Sequence, residues 1–242
     1  MQADNSGNLP VSYATSPKTD NLLEDIPLFA NIDRGKLALL AKAAIRKKFK
    51  RKQMIMDILS SGHCLYIIHF GIVKVVSTDK DGHEQILAIH KKGDSFGEMS
   101  ILDGKTSPAM IIALTDCEVC FISKEKVEEY ILNDVQTLRQ VTLSLCSRLR
   151  ESWLQLEVTH FGDAEQRVRT ILNLVAAQHG KWTRDGILIT IRLTQNNIAA
   201  YAGLTQKTVS QILNKLLRKD EIAVNDKKQI LLKPVYYRDS IN

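Results

Sequence analysis

Residues 194–214 carry a run of hydrogen-bonding and basic side chains with no acid among them: Thr194, Gln195 and Asn196, then Thr205, Gln206, Lys207, Thr208, Ser210, Gln211 and Asn214. Side-chain amides pair with the adenine edge in the major groove of DNA, and a Lys approaches guanine. Hydroxyls at helix starts and nearby Lys residues bind phosphates. Lys227 and Lys228 follow Asn225-Asp226 between two short apolar runs, a second place where phosphate contacts are expected. No Ser-His-Asp, His-Glu-x-x-His or P-loop pattern is present, so no catalytic residue is assigned and the chain is read as a non-enzyme. Cys64, Cys117, Cys120 and Cys146 have neither disulfide-framework nor iron–sulfur spacing. Cys64 is expected in a loop, and Cys117 and Cys120, three apart on a strand, on opposite faces. His63, His69, His83 and His90 leave haem or another effector open, but with no attached signature no metal ligand is assigned.

The elements that must position the polar run can be read from spacing. Thr194 caps a first helix whose buried face is Ile198, Ala199 and Ala202. Gly203 permits the left-handed turn, Leu204 plugs the corner and Thr205 caps a second helix. Val209, Ile212, Leu213 and Leu216 form that helix's apolar stripe, which leaves Gln206, Lys207, Ser210, Gln211 and Asn214 facing outward. A helix over 165–177 and a strand over 186–193 precede this pair, and 221–232 follow it as a hairpin, so the region reads as a winged helix-turn-helix. Upstream, Leu138, Thr142, Leu145, Leu149, Ser152, Leu156 and Thr159 alternate at spacings of four and three. That is the seam of a paired helix and predicts a homodimer; packing on the chain's own barrel is the alternative. Apolar runs at 65–68, 72–76, 86–89, 110–114 and 119–122, separated by Asp/Gly turns, predict five strands in a small antiparallel roll. Ser123 is the expected cap of the helix that follows them, and Leu/Ala spacing in 22–44 predicts one or two short helices.

The chain has 242 residues with a formal charge of +6. Residues 161–242 hold 13 Lys+Arg against 7 Asp+Glu, whereas the first 160 residues hold 20 of each. The whole excess therefore lies in the last third, which points that module at a polyanion. The basic run at 46–52 is balanced within its own module and reads as a charged strand or solvated edge. No apolar run approaches membrane-spanning length and no secretory signal is visible, so a cytoplasmic location and no membrane partner are expected. The boundaries read as 1–20 tail, 21–134 roll, 135–160 dimerisation helix and 161–242 DNA-binding domain. A small-molecule sensor whose C-terminal module contacts protein is the competing function, disfavoured by the local basic charge.

Over about residues 22–235 the sequence resembles the Crp/Fnr family (cyclic-AMP receptor protein and fumarate-nitrate reductase regulator) of transcription factors. Its carriers are Leu65-Tyr66-Ile-Ile-His-Phe-Gly71-Ile-Val-Lys74-Val, Gly93-Asp-Ser-Phe96-Gly97-Glu98-Met99 and Gly203-Leu-Thr-Gln-Lys-Thr-Val-Ser210. The resemblance implies an α+β chain with a cyclic-nucleotide-binding-like β-roll, a long dimerisation helix and a C-terminal winged helix-turn-helix. It also implies double-stranded DNA bearing a palindromic operator as partner, with RNA polymerase as a further one. Cyclic-AMP binders of the family resemble Phe-Gly-Glu-Leu, a short loop, then Arg-Ser-Ala or Arg-Ala-Ala. Here Phe96-Gly97-Glu98-Met99 is intact, but Ser107-Pro108-Ala109 puts Ser where the Arg belongs and Pro where an N–H belongs. The lost bidentate contact argues against cyclic AMP, and Lys105 is only a displaced point charge. By alignment Ser152 and Trp153 occupy the positions that contact the nucleotide base, with Trp153 either filling the pocket or packing between helix and roll. The expected effector is therefore something other than cyclic AMP, or none. The reading helix departs as well: Gln206-Lys207 and Gln211 replace the family's Arg-Glu or Val-Glu and later Arg, so the usual operator is not expected.

Overall fold

The computed structural model describes residues 23–58, 63–107 and 109–240. The expected tail over 1–20 and Pro108 lie outside the described residues. The chain divides into two compact units, one holding residues up to 73 with 90–107 and 112–142, the other holding 74–89, 108–111 and 143 onward.

The first unit opens with a short 3-10 turn, Pro27–Phe29, and helix α1, Arg34–Ala43, whose Leu37, Leu40 and Ala41 are buried. Asp33 caps α1 by accepting from the Lys36 amide at 3.1 Å. The strands of the roll are β1 (Ile45–Phe49), β2 (Met54–Met56), β3 (Cys64–Phe70), β4 (Ile72–Thr78), β5 (Glu84–Lys91), β6 (Ser95–Phe96), β7 (Met110–Ala113) and β8 (Cys117–Ser123). They form two four-stranded sheets, β1-β8-β3-β6 and β2-β7-β4-β5. Eight strands thus replace the five expected, because β2 and β6 are too short to show a period and the charged 46–52 run contains an edge strand. Edge strands carry charge without burying it. On β1 and just after it, Arg46 pairs with Glu118 at 3.0 Å and Lys50 with Asp116 at 3.1 Å.

Cys64 begins β3 opposite Ser123 instead of lying in a loop, and burial pushes its thiol above the ordinary value. Cys120 is fully buried with its thiol pushed up to about 11 by desolvation, and Cys117 is buried too, so both face packed surroundings. Tyr66 stacks on Phe96 at 4.9 Å and meets Phe121 edge-on at 4.9 Å. Helix α2, Glu98–Asp103, leaves this sheet after Gly97, whose φ of 90° and close approach to Cys64 O (2.7 Å from an added Cβ) leave no room for a side chain. After β8 come α3, Lys124–Val127, one π-turn over Glu128–Leu132, and the start of α4, Val135–Phe161. Ser123 sits at the cap position of α3 but makes no capping bond; its hydroxyl engages the Glu125 carboxylate instead. Asp134 holds the start of α4, accepting from the Thr137 amide at 2.9 Å and hydroxyl at 2.7 Å. These bonds, the hydroxyl's first, hold its carboxyl below the usual range.

The second unit, which also takes in most of β4 and β5 and the start of β7, continues α4 and adds α5 (Ala164–His179), β9 (Gly180–Thr183), β10 (Gly186–Ile189), α6 (Gln195–Ala202), α7 (Gln206–Arg218), β11 (Ile222–Val224) and β12 (Ile230–Leu232). The strands make one antiparallel sheet in the order β11-β12-β10-β9. The strand expected over 186–193 stops at Ile189, and β9, unread in the sequence, pairs with it as a hairpin. Asp163 and Gln166 form a reciprocal capping box on α5, whose Val168, Ile171, Leu172 and Val175 face the core. A terminal 3-10 segment, Pro234–Ser240, closes the unit, with Tyr236 fully buried.

Candidate nucleic-acid interface

Each end of the helix pair is fastened by its own side chains. Thr194 and Asn197 form a capping box on α6: the Thr194 hydroxyl accepts from the Asn197 amide at 3.1 Å and donates to Asn197 Oδ1 at 2.7 Å. Gly203 takes φ 63° and ends α6 by donating to Ala199 O. Thr205 caps α7, accepting from the Thr208 amide at 3.2 Å, with the two hydroxyls 2.8 Å apart. The hydroxyls of Thr194, Thr205 and Thr208 therefore anchor helix starts, a contribution of about 1 kcal/mol per cap. Ile198, Ala199, Tyr201 and Ala202 bury one face of α6; Val209, Ile212, Leu213 and Leu216 bury one face of α7.

On the opposite face of α7, Gln206, Lys207, Gln211 and Asn214 are exposed and Ser210 is half-buried. At the helical repeat, Lys207, Gln211, Asn214 and Arg218 fall on one stripe. Arg218 was missed in the sequence because it lies a full turn beyond the run judged to face outward. Gln211, Asn214, Lys215, Arg218 and Lys219 together line an open concavity of about 350 Å³. Asn196 is exposed and Gln195 half-buried at the start of α6. In the wing, Asn225 N donates to Gln229 O at 3.1 Å and Lys228 N to Asn225 O at 2.8 Å, leaving Lys227 and Lys228 exposed at the tip. Gln229 Nε2 bonds Thr190 O and ties the wing to the segment before α6.

Two further fastenings join residues far apart in sequence. Arg169 Nη2 on α5 lies 2.6 Å from Glu221 Oε2 at the start of the wing, with the Glu221 side chain only 2% exposed. The Arg169 guanidinium sits 5.1 Å over the Tyr236 ring, and Tyr236 OH donates to Arg169 O at 3.0 Å. Burial pushes the Tyr236 hydroxyl's pKa far up, so it stays a donor. At the turn, Tyr201 O, one of the carbonyls that a helix end leaves without an intrahelical partner, accepts from Gln155 Nε2 at 3.3 Å and Gln85 Nε2 at 3.4 Å.

Along α4, Leu138, Leu149 and Leu156 are exposed and Leu145 is half-buried, while Thr142 and Ser152 are exposed polar positions of the same seam. Both hydroxyls turn back into their own helix, Thr142 to Leu138 O at 3.0 Å and Ser152 to Arg148 O at 2.9 Å, so they need no partner across the seam. The side chain of Thr159 lies outside the described residues. Trp153 is 60% exposed. The helix turns that face outward, together with Leu143 and Leu154.

Of the other expected effector positions, Gly97, Glu98, Met99 and Ser107 fall in the first unit and Ala109, Ser152 and Trp153 in the second. Glu98 is buried at the start of α2, Met99 is exposed, Ser107 is half-buried and Ala109 is buried. In the segment 97–107 the one cation, Lys105, is exposed, and its own amide donates to Asp103 Oδ1 at 2.9 Å. Among the described residues one group has metal-ligating geometry, Asp79, Asp81 and His83 in the β4–β5 turn, all exposed. Asp79 Oδ1 already accepts from the Asp81 and His83 amides and so closes the turn. His69 on β3 has its pKa lowered by burial, and His90 Nδ1 lies 3.8 Å from Asp94. No described helix is long and apolar enough to cross a membrane.

The cyclic nucleotide-binding domain family matches residues 46–134 and the Crp-like helix-turn-helix domain family residues 166–234. The chain is 30% identical over 171 residues to the cAMP-activated global transcriptional regulator CRP of Pasteurella multocida, covering 70% of this chain and 81% of that one. It is 28% identical over 190 residues to the cyclic AMP receptor protein of Thermus thermophilus, covering 78% and 85%. FixK2 of Bradyrhizobium japonicum shares the fold with a TM-score of 0.72 at 22% identity, covering 82% of this chain and 97% of that one. With a nucleotide-binding-type roll, a long helix and a Crp-like winged helix in this order, the chain belongs to the Crp/Fnr family of DNA-binding transcription regulators.

Proposed function

We propose that this regulator binds a two-fold symmetric operator as a homodimer joined along α4, and that its roll takes an effector other than cyclic AMP or none. The observation carrying the DNA reading is the acid-free stripe Lys207, Gln211, Asn214 and Arg218, held outward by a fully buried opposite face. Thr194, Gln195, Asn196, Thr205, Gln206, Thr208 and Ser210 border it, and Lys227 and Lys228 reach for the flanking phosphates. The exposed leucines of α4 support the dimer, because a row of them at seam spacing is costly to leave in water. A two-fold dimer places its reading helices about one DNA turn apart.

Two relatives are named for cyclic AMP, but Ser107 and the lone exposed Lys105 offer no guanidinium to a phosphate. Contact with RNA polymerase is part of the same reading. We read the chain as a non-enzyme that stays in the cytoplasm. Calorimetry with cyclic AMP tests the effector claim: no heat up to millimolar nucleotide is expected, and micromolar binding overturns it. Footprinting on genomic sites tests the dimer claim, with paired protections one turn apart expected and a single half-site protection contradicting it.

A further inference from the structure

Lys215 follows Gln211 by four residues on α7 and occupies the edge of the DNA-facing stripe that borders α5. Its Nζ lies 2.5 Å from Glu165 Oε2. The other oxygen of the same carboxylate receives Arg169 Nε at 3.1 Å and Nη2 at 2.9 Å, and Arg169 is itself held by Glu221 at 2.6 Å. Glu165 is thus a pinned acceptor whose ordering is shared with a largely buried network. A surface ion pair normally loses much of its Coulomb gain to the entropy of holding two long side chains together. Here one side is already fixed, so the pair costs less to form. Among the described residues, Lys207 and Arg218 on the same helix pair with no acid.

We infer that Glu165 withholds Lys215 from the DNA backbone, so that the number of phosphates gripped at each half-site is set by an acid on α5 and not by the basic residues of α7 alone. Glu165 is in this sense a positioning residue for DNA affinity. The inference rests on α7 facing the phosphates. Releasing Lys215 by neutralising Glu165 adds one phosphate contact per half-site. Each such contact steepens the fall of log K with log salt by about 0.9, or about 1.8 for the two half-sites of a dimer.

The test uses the full-length protein and a selected operator duplex, with affinity measured across a potassium chloride series for wild type, Glu165→Gln, Lys215→Ala and the double variant. Glu165→Gln is expected to steepen the slope by about 1.8 and to bind more tightly at low salt. Lys215→Ala alone is expected to leave the slope at the wild-type value, and the double variant to return to it. A flatter slope for Lys215→Ala alone overturns the inference, because Lys215 then meets phosphate with Glu165 in place. An unchanged slope for a folded Glu165→Gln overturns it too, as does a double variant as steep as Glu165→Gln, since the acid then acts through space. The Lys215→Ala arm needs no tolerance of change at Glu165. A wild-type protein without salt-dependent operator binding refutes the DNA-facing reading itself, which separates the two failures.

Discussion

Replacing Arg169 by Met retains most of the side chain's apolar stem and removes only the charged head, which makes it a direct test of what holds the winged helix together. The Glu221 side chain is 2% exposed and 2.6 Å from Arg169, with Lys219 3.7 Å away as its other cation. Taking away one partner of a buried pair leaves an uncompensated buried charge and costs about 3–5 kcal/mol. The guanidinium's position over the Tyr236 ring adds about 0.5–1 kcal/mol. Lys219, half-exposed, offsets part of this, and Glu165 keeps Lys215, so the net expected loss is about 3 kcal/mol. Urea unfolding followed by far-ultraviolet circular dichroism reads it as a lowered midpoint at an unchanged slope. The double variant Arg169→Met/Glu221→Met, which removes both charges, is expected to recover to within about 1 kcal/mol of wild type. A loss below about 1 kcal/mol for the single variant, or a double variant no better than the single, refutes the view that an unpaired Glu221 dominates the cost.

Gly203→Ala is expected to cost about 1 kcal/mol in the same assay, because φ 63° disfavours a Cβ while the nearest atom to one, Gln85 Oε1, is a harmless 3.8 Å away. A several-fold larger loss would reveal packing at the turn that the structure does not contain. Leu149→Asp, placing charge in the exposed seam of α4, is expected to shift the protein to monomer in sedimentation and to leave a urea midpoint that no longer rises with protein concentration, because the partner's stabilisation of the fold is lost. A dimer that persists argues against α4 as the joint. Glu165 has its pKa depressed, first by the Lys215 bond and then by Arg169. Its contribution to stability is thus complete above the ordinary carboxylate value of about 4.3 and is lost as pH falls through the lower folded value. The midpoint gap between wild type and Glu165→Gln is expected to be constant from pH 8 down to about pH 5 and to close below about pH 4; a gap that widens in acid contradicts the pairing.

What was legible in the sequence was local. The caps Thr194 and Thr205, the turn at Gly203 and the stripe Val209, Ile212, Leu213 and Leu216 all depend on neighbours within a few residues, and all stand in the structure where spacing put them. What escaped depends on partners far along the chain. The basic run at 46–52 reads as a charged strand or solvated edge and β1 is one, but its individual acid partners, Glu118 for Arg46 and Asp116 for Lys50, depend on the distant β8 region folding beside it. Cys64 looked like loop because its strand partner Ser123 lies across the roll. Arg169 with Glu221, and Gln85 and Gln155 with Tyr201 O, join elements that no periodicity links. Arg218 was within reach of the helical period, had the stripe been extended by one more turn.

Selection from a random duplex library, run in parallel on wild type and on Lys207→Ala/Gln211→Ala, tests the central claim most directly. Wild type is expected to enrich an inverted repeat with half-sites about one DNA turn apart. The double variant, still a dimer in sedimentation, is expected to enrich no sequence, because it retains the phosphate contacts but has lost two of the side chains that reach base edges. Enrichment of the same inverted repeat by both proteins would contradict the assignment of α7 as the helix that reads DNA.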